Sequence, residues 1–258
     1  MLAELTAGAV EDAQSRERVR AFEVVEKEAF EAAPARDALS ALAPADQVKI
    51  IAEIKRASPS RGDLASITDP ALQARRYEQG GASAISVLTE GRKFKGSLAD
   101  LEAVKAAVSL PVLRKDFIAT SYQVFEARAA GADLVLLIVA ALDQKLLSDL
   151  HDLVRELGMT ALVETHSADE VSRAVDIGAE VIGVNARDLS TFQLDRDLFG
   201  RLVGRIPSGV VKIAESAVVA PSDVSHYRAA GADVVLVGEA LVTGDPVATL
   251  RAFRGENA

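Results

Sequence analysis

Residues 49–63, KIIAEIKRASPSRGD, decide how the chain is read. The segment starts as a strand, with Ile50, Ile51, Ala52 and Ile54 apolar and β-branched residues dominating. Glu53 and Lys55 interrupt it. They lie two apart, so on a strand they share one face with Ile51. An acid and a base on one face, followed by Ser-Pro-Ser-Arg-Gly, suit the rim of a pocket better than a core. Alone, the pattern also fits an exposed edge strand entering a polar loop. The rest of the chain favours the pocket.

Strand signals recur at 49–54, 84–88, 111–115, 134–139, 160–164, 181–185, 210–215 and 233–237. Helical windows lie between and after them, near 70–79, 97–108, 121–130, 142–157, 167–177, 196–205, 221–230 and 245–254. Strict alternation of strand and helix means parallel strands joined by helical crossovers. Eight such units in 258 residues predict an α/β chain forming a closed (β/α)8 TIM barrel, with an open doubly wound sheet as the competing topology. A weak repeat supports the barrel. Gly81-Ala82-Ser83, Gly131-Ala132-Asp133, Gly178-Ala179-Glu180 and Gly231-Ala232-Asp233 recur at intervals of 50, 47 and 53 residues, each spanning two units. Residues 1–45 read as an N-terminal helical extension, broken by Pro34 and Pro44, ahead of a barrel over 46–258 in one domain.

Composition narrows the function. The chain is 49% hydrophobic and 26% charged, with a formal charge of −9 and no basic face, so no nucleic-acid partner is expected. Arg92, Lys93 and Lys95, and Arg114 and Lys115, are local cation clusters suited to a small anion. There is no cysteine, which excludes disulfides and thiolate chemistry and fits a reducing cytoplasm. The N-terminus carries acids among its apolar residues and does not read as a signal peptide. No apolar run approaches the ~18 residues of a membrane span. His151 and His226 read as surface residues and His166 as structural. Three scattered histidines suggest no metal site.

In a barrel of this kind the site lies at the C-terminal strand ends. Those positions hold Glu53 and Lys55 (first strand), Lys115 with Asp116 and Phe117 (third), Glu164 (fifth), Asn185 and Arg187 (sixth), and Glu215 and Ser216 (seventh). Lys115, Glu164, Asn185 and Glu215 each share a face with the residue two before, respectively Leu113, Leu162, Gly183 and Ile213. If the sheet closes, these groups converge. The fourth strand carries no charge, so Leu136 and Ile138 are expected to form an apolar wall that, with Phe94 and Phe117, receives an aromatic ring. Loops after the seventh and eighth strands often bind phosphate. Here they carry Ser216-Ala217 and Gly238-Glu239, with Ser58 adding a hydroxyl and Glu239 expected to turn away.

These residues spell a pattern. IAEIKRASPS from Ile51, SVLTE from Ser86, FKGS from Phe94, PVLRKDF from Pro111, GADLVLLIVA from Gly131, ALVETH from Ala161, GVNARDL from Gly183, AES from Ala214 and VGEAL from Val237 occur in order. Over essentially its whole length the chain resembles the indole-3-glycerol phosphate synthase family of tryptophan biosynthesis. The resemblance implies ring closure of 1-(2-carboxyphenylamino)-1-deoxyribulose 5-phosphate, with loss of CO2 and water and without metal or cofactor. Lys115 matches the family's general acid and Lys55 its assisting lysine. Glu164 matches the base-like carboxylate. Glu53, Asn185 and Glu215 match residues that hold lysines and substrate hydroxyls. Arg187 and Leu189 match the pocket mouth, and Ser58, Ala217, Gly238 and Glu239 the phosphate grip. Lys115 is expected to have its pKa lowered by neighbouring cations and held up by Glu53 and Glu164.

Two positions depart from the family pattern. Ala217 stands where a Gly is usual, and Glu239 where some relatives have Ser. An idle phosphate-binding barrel is one alternative. Phosphoribosylanthranilate isomerase is another, disfavoured because that family relies on a cysteine base. A monomer or weak oligomer acting on a small anionic aromatic sugar phosphate is the expectation, with no fused second enzyme.

Overall fold

The computed structural model describes residues 1–188, 191 and 193–256. Eight parallel strands close into a barrel: β1 Lys49–Ile54, β2 Ala84–Leu88, β3 Val112–Lys115, β4 Leu134–Ile138, β5 Thr160–Thr165, β6 Val181–Asn185, β7 Val211–Glu215 and β8 Val234–Val237. Closure is explicit in the register. β1 pairs with β2 through Ile51↔Ala84 and with β8 through Lys49↔Val234, which rules out the open sheet. Crossover helices Pro70–Gln79, Leu98–Ala107, Ser121–Ala129, Gln144–Glu156, Ala168–Asp176, Leu198–Leu202 and Pro221–Ala229 join the strands, and Pro246–Phe253 follows β8.

The sequence sets these helix starts locally. Asp69, Ser97, Thr120, Asp143, Ser167 and Asp245 each accept a first-turn backbone N–H through the side chain. Pro70, Pro221 and Pro246 occupy first-turn positions where no N–H is needed. The repeat glycines at 81, 131, 178 and 231 follow the helices at φ between +73° and +102°, the left-handed turn that re-aims the chain into the next strand.

Both faces of each strand are buried, as parallel sheets require. Ile51, Ala84, Leu113, Leu134, Leu162, Val181, Ile213 and Val234 fill the barrel. Ile50, Ile85, Val112, Val135, Val163, Ile182, Ala214 and Val235 pack outward in the other apolar cluster, under the helices.

Three helices precede β1: α1 Leu2–Glu17, α2 Phe22–Glu31 and α3 Ala38–Leu42. α3 buries Ala38 and Leu42 with the interior residues, and Leu39, Ala43 and Pro44 border Glu180, Gly209 and Val211 at the N-terminal ends of β6 and β7. It therefore closes the bottom of the barrel. α2 lies on the helix Ser121–Ala129, where the Phe22 and Phe125 rings meet edge-on at 5.3 Å. α1 reaches the top, where Leu5 lines the cleft described below.

One sequence expectation is corrected here, and two of the clustered cations are placed. Arg92 is spent on Glu11 and Asp12 of α1, at 3.0 and 2.6 Å. Arg114 points out of the barrel and is buried against Glu126, 3.0 Å, and Asp116, 3.1 Å. Strand alternation separates it from Lys115, its neighbour in sequence. His151 is not at the surface. It lies on the buried face of Gln144–Glu156 with Leu147, Leu150 and Val154, and burial lowers its pKa. His226 is exposed, as expected. Among the described residues, no helix is long and apolar enough to cross a membrane.

Candidate active site

The odd-numbered strands build the centre. Each places an ionisable residue two positions beyond an interior apolar one: Glu53 after Ile51, Lys115 after Leu113, Glu164 after Leu162 and Glu215 after Ile213. Barrel interiors stack in layers of four side chains drawn from alternate strands. Here the layer above the apolar floor consists of three acids and one amine.

Their contacts are direct. Lys115 Nζ lies 3.3 Å from Glu164 Oε2 and 3.5 Å from Glu215 Oε2. Lys55 Nζ, just past β1, lies 2.7 Å from Glu53 Oε1. The Ser86 hydroxyl donates to Glu53 Oε2 at 3.4 Å. Gly183 on β6 makes room for this layer. A Cβ there would sit 2.2 Å from Glu215 Oε1. Gly238 does the same beside Glu53 and Lys55, where a Cβ would approach to 2.7 and 3.1 Å.

Burial and charge set the protonation states. Burial opposes the charge on Lys115, but Glu164, Glu215 and Glu53 outweigh it and hold the ammonium well above its ordinary pKa. Neighbouring cations are not the main downward influence on Lys115; desolvation is, and it is the largest single cause. Burial would raise Glu164, yet Lys115 and His166 hold it far below the usual carboxylate range. Glu53 is likewise lowered, by Lys55 and Lys115 acting against burial. Burial and the Glu164 charge push Glu215 up to about 8. Glu215 shares a hydrogen bond with the Glu164 carboxyl, and Lys115 Nζ stands 3.5 Å from its Oε2. At neutral pH the layer thus holds a charged amine, two carboxylates and one neutral carboxylic acid.

One wall of the cleft is apolar. Phe94 and Phe117, 6.0 Å apart and tilted 41°, stand with Leu136, Ile138, Leu88 and Leu5. The Phe94 loop is fixed by Glu90, whose carboxylate accepts the backbone N–H groups of Arg92, Lys93 and Phe94 at 2.8, 2.7 and 2.8 Å. On the other side stand Ser58, Arg187, Ser216, Ala217, Gly238 and Glu239. Asn185 Oδ1 accepts the Ser216 hydroxyl at 2.8 Å and the Arg187 N–H at 3.0 Å, tying the loops after β6 and β7 together. Ser216 and Ala217 both adopt positive φ, +69° and +57°, so the usual Gly at the second position has a steric reason. Glu239 lines the cleft, and its carboxylate is paired with Arg61 Nη2 at 2.6 Å.

The structure therefore brings together every expected site residue it describes; Leu189 lies outside the described residues. Arg61 lies in the stretch after β1 that the sequence already marks as a pocket rim. Other neighbours were not anticipated. Leu5 reaches the cleft from distant sequence with no periodic signal, and Leu88 and Ser86 belong to an apolar strand. His166 follows Glu164 by two, a spacing that allowed it to face the pocket, although the sequence favoured a structural role. Among the described residues, no group of three or more His, Asp or Glu is set to hold a metal ion.

A family model described as indole-3-glycerol phosphate synthase matches residues 2–253. A protein of that name from Leifsonia xyli subsp. xyli is 72% identical over 255 residues, covering 99% of this chain and 98% of its own length. Another from Beutenbergia cavernae is 56% identical over 247 residues, covering 95% and 92%. Among solved structures, an N-acetylmannosamine-6-phosphate 2-epimerase from Clostridium perfringens superposes with a TM-score of 0.63 at 16% identity, over 80% of this chain and 91% of that one. A thiamine phosphate pyrophosphorylase from Pyrococcus furiosus gives 0.61 at 14%, over 81% and 94%. At those identities the two structures speak to the barrel alone.

Proposed function

The chain belongs to the indole-3-glycerol phosphate synthase family, and from that premise we propose how its residues divide the reaction. The activity is that of a carboxy-lyase of tryptophan biosynthesis. It closes 1-(2-carboxyphenylamino)-1-deoxyribulose 5-phosphate to indole-3-glycerol phosphate with loss of CO2 and water.

The carboxyphenyl ring rests on Phe94, Phe117, Leu136 and Ile138. The phosphate is held by the Ser58 hydroxyl and the backbone N–H groups of Ala217, Gly238 and Glu239, with Arg187 adding charge. This places the ketone over Lys115. The ring carbon bearing the carboxylate attacks the ketone carbon. As the C–C bond forms, the carbonyl electron pair moves onto oxygen, and Lys115 stabilises that charge and gives it a proton. The bond to the carboxylate then breaks, CO2 leaves, and its electron pair restores the aromatic ring. In the last step Glu164 removes a proton from the new five-membered ring, and the hydroxyl leaves as water with a proton from a lysine ammonium, either Lys55 or a Lys115 that has first regained a proton from solvent. Glu53 orients Lys55, while Asn185 and Glu215 hold substrate hydroxyls.

The charge layer links acid to base. An alkoxide is a stronger base than even a raised lysine, so transfer from Lys115 is downhill. Once Lys115 is neutral, Glu164 loses its main counter-charge and its basicity rises, preparing it for the later proton removal. The observation that carries this reading is Lys115 Nζ set 3.3 and 3.5 Å from two acids on a cleft with an aromatic wall. Mixing purified protein with the carboxyphenylamino substrate tests it. Growth of indole fluorescence is expected, and a flat trace with folded protein contradicts the reading. We also place the enzyme in the cytoplasm, as a monomer or weak oligomer that takes a free sugar phosphate and no nucleic acid, in keeping with its charge of −9 and lack of cysteine.

A further inference from the structure

His166 does not line the cleft and plays no part in the steps above, yet it lies half-buried against the residues that do. Its Nε2 lies at ion-pair distance, 3.4 Å, from Glu164 Oε1 without an aligned hydrogen bond, while Lys115 occupies the other oxygen, Oε2, at 3.3 Å. Its Nδ1 lies 3.2 Å from Glu170 Oε2, and that same oxygen accepts the His166 backbone N–H at 2.8 Å. Glu170 is itself fixed, because its N–H caps on the Ser167 hydroxyl at 3.2 Å. The ring is thus clamped between two carboxylates, one belonging to the site and one to the start of the helix Ala168–Asp176.

We propose that His166 is a positioning residue for Glu164, holding one carboxylate oxygen from behind so that the base stays aimed at the cleft after Lys115 has discharged. The inference rests on Glu164 being the base, as proposed above. Glu164 faces Lys115 from β3, Glu215 from β7, Glu53 from β1 and His166 from its own loop. His166 faces Glu164 and Glu170. Burial pushes the imidazole pKa down, but the two carboxylates carry it up to about 10. The ring is therefore a cation at neutral pH and remains one when Lys115 does not. Without it, a transiently neutral Lys115 would leave three acids crowded in one dry layer, and Glu164 would share a proton with Glu215 instead of taking one from substrate.

The test compares His166→Gln, Glu164→Gln and the double variant, with the wild-type ring followed by NMR. The single histidine variant should lose about tenfold in kcat with KM within about twofold, and the acid limb of its kcat profile should move up by about one pH unit. In the Glu164→Gln background the histidine change should cost less than about twofold, because the two residues act as one unit. Equal losses in both backgrounds, or an unmoved pH profile, would reduce His166 to a structural role and overturn the inference. Full turnover in Glu164→Gln would instead overturn the base assignment, and this inference with it. If His166→Gln does not fold, the wild-type ring decides: both nitrogens protonated at pH 8 supports the proposal, and a neutral ring at that pH refutes it.

Discussion

At the scale of single residues, room and backbone angle matter as much as charge. Gly183 is an interior position where even a methyl group would meet the Glu215 carboxyl at 2.2 Å. Gly183→Ala should therefore destabilise the fold by about 1–3 kcal/mol, by the usual cost of overpacking, and lower kcat by displacing Glu215. Denaturant titration and steady-state kinetics read the two effects. Ala217 makes the opposite prediction. At φ +57° it carries a strain that glycine lacks, so Ala217→Gly should raise stability by about 0.5–1 kcal/mol without loss of turnover. These two positions also show what a sequence can disclose. Ala217 was legible because a loop after a barrel strand makes positive φ a local question. The role of Gly183 was not, because it depends on the register that pairs Gly183 with Ile213 and Asn185 with Glu215 across 30 residues of chain.

At the scale of elements, the strands were the most legible feature, since a period of two and a run of β-branched residues are local signals. Glu53, Lys115, Glu164 and Glu215 were found because each continues an inward alternation for one more step. The N-terminal helices were less legible. Pro34 and Pro44 mark breaks, but nothing in 1–45 tells which helix closes the bottom and which reaches the top, because their partners lie more than a hundred residues away. One such partner is Glu126. Arg16 of α1 grips it at 2.5 and 2.8 Å, and buried Arg114 meets it at 3.0 Å. Arg114 precedes Lys115 on β3, so α1 is fastened to the strand that carries the acid. Glu126→Ala should cost about 3 kcal/mol or more, because it leaves Arg114 buried with one carboxylate fewer. Hydrogen exchange should show α1 opening at lower free energy in that variant than in the wild type.

At the scale of the whole molecule, closure brings acids from three strands and an amine from a fourth into one buried layer, and that convergence has a pH signature. Glu164 and Glu53 have lowered pKa values, so their contribution to stability is present above the ordinary carboxylate range and is lost on acidification. His166 is raised to about 10, so its contribution is complete below 6.5 and is lost as pH rises through 10. Glu215 works the other way. Its folded pKa of about 8 exceeds the ordinary carboxylate value of 4.5, so the folded state retains a proton that the unfolded state releases. Stability therefore falls as pH rises between those values. Glu215→Gln should remove this slope, and the gap in melting temperature between variant and wild type should widen in the variant's favour from pH 4.5 to 8. No single stretch of sequence contains this behaviour, because it arises only when β1, β3, β5 and β7 face one another.

The most direct measurement is the turnover of Lys115→Gln with 1-(2-carboxyphenylamino)-1-deoxyribulose 5-phosphate, followed by indole fluorescence on protein shown to be folded. If the buried ammonium is the acid that meets the nascent alkoxide, kcat should fall on the order of a thousandfold or more while substrate still binds. A variant that turns over at the wild-type rate would contradict that role for Lys115.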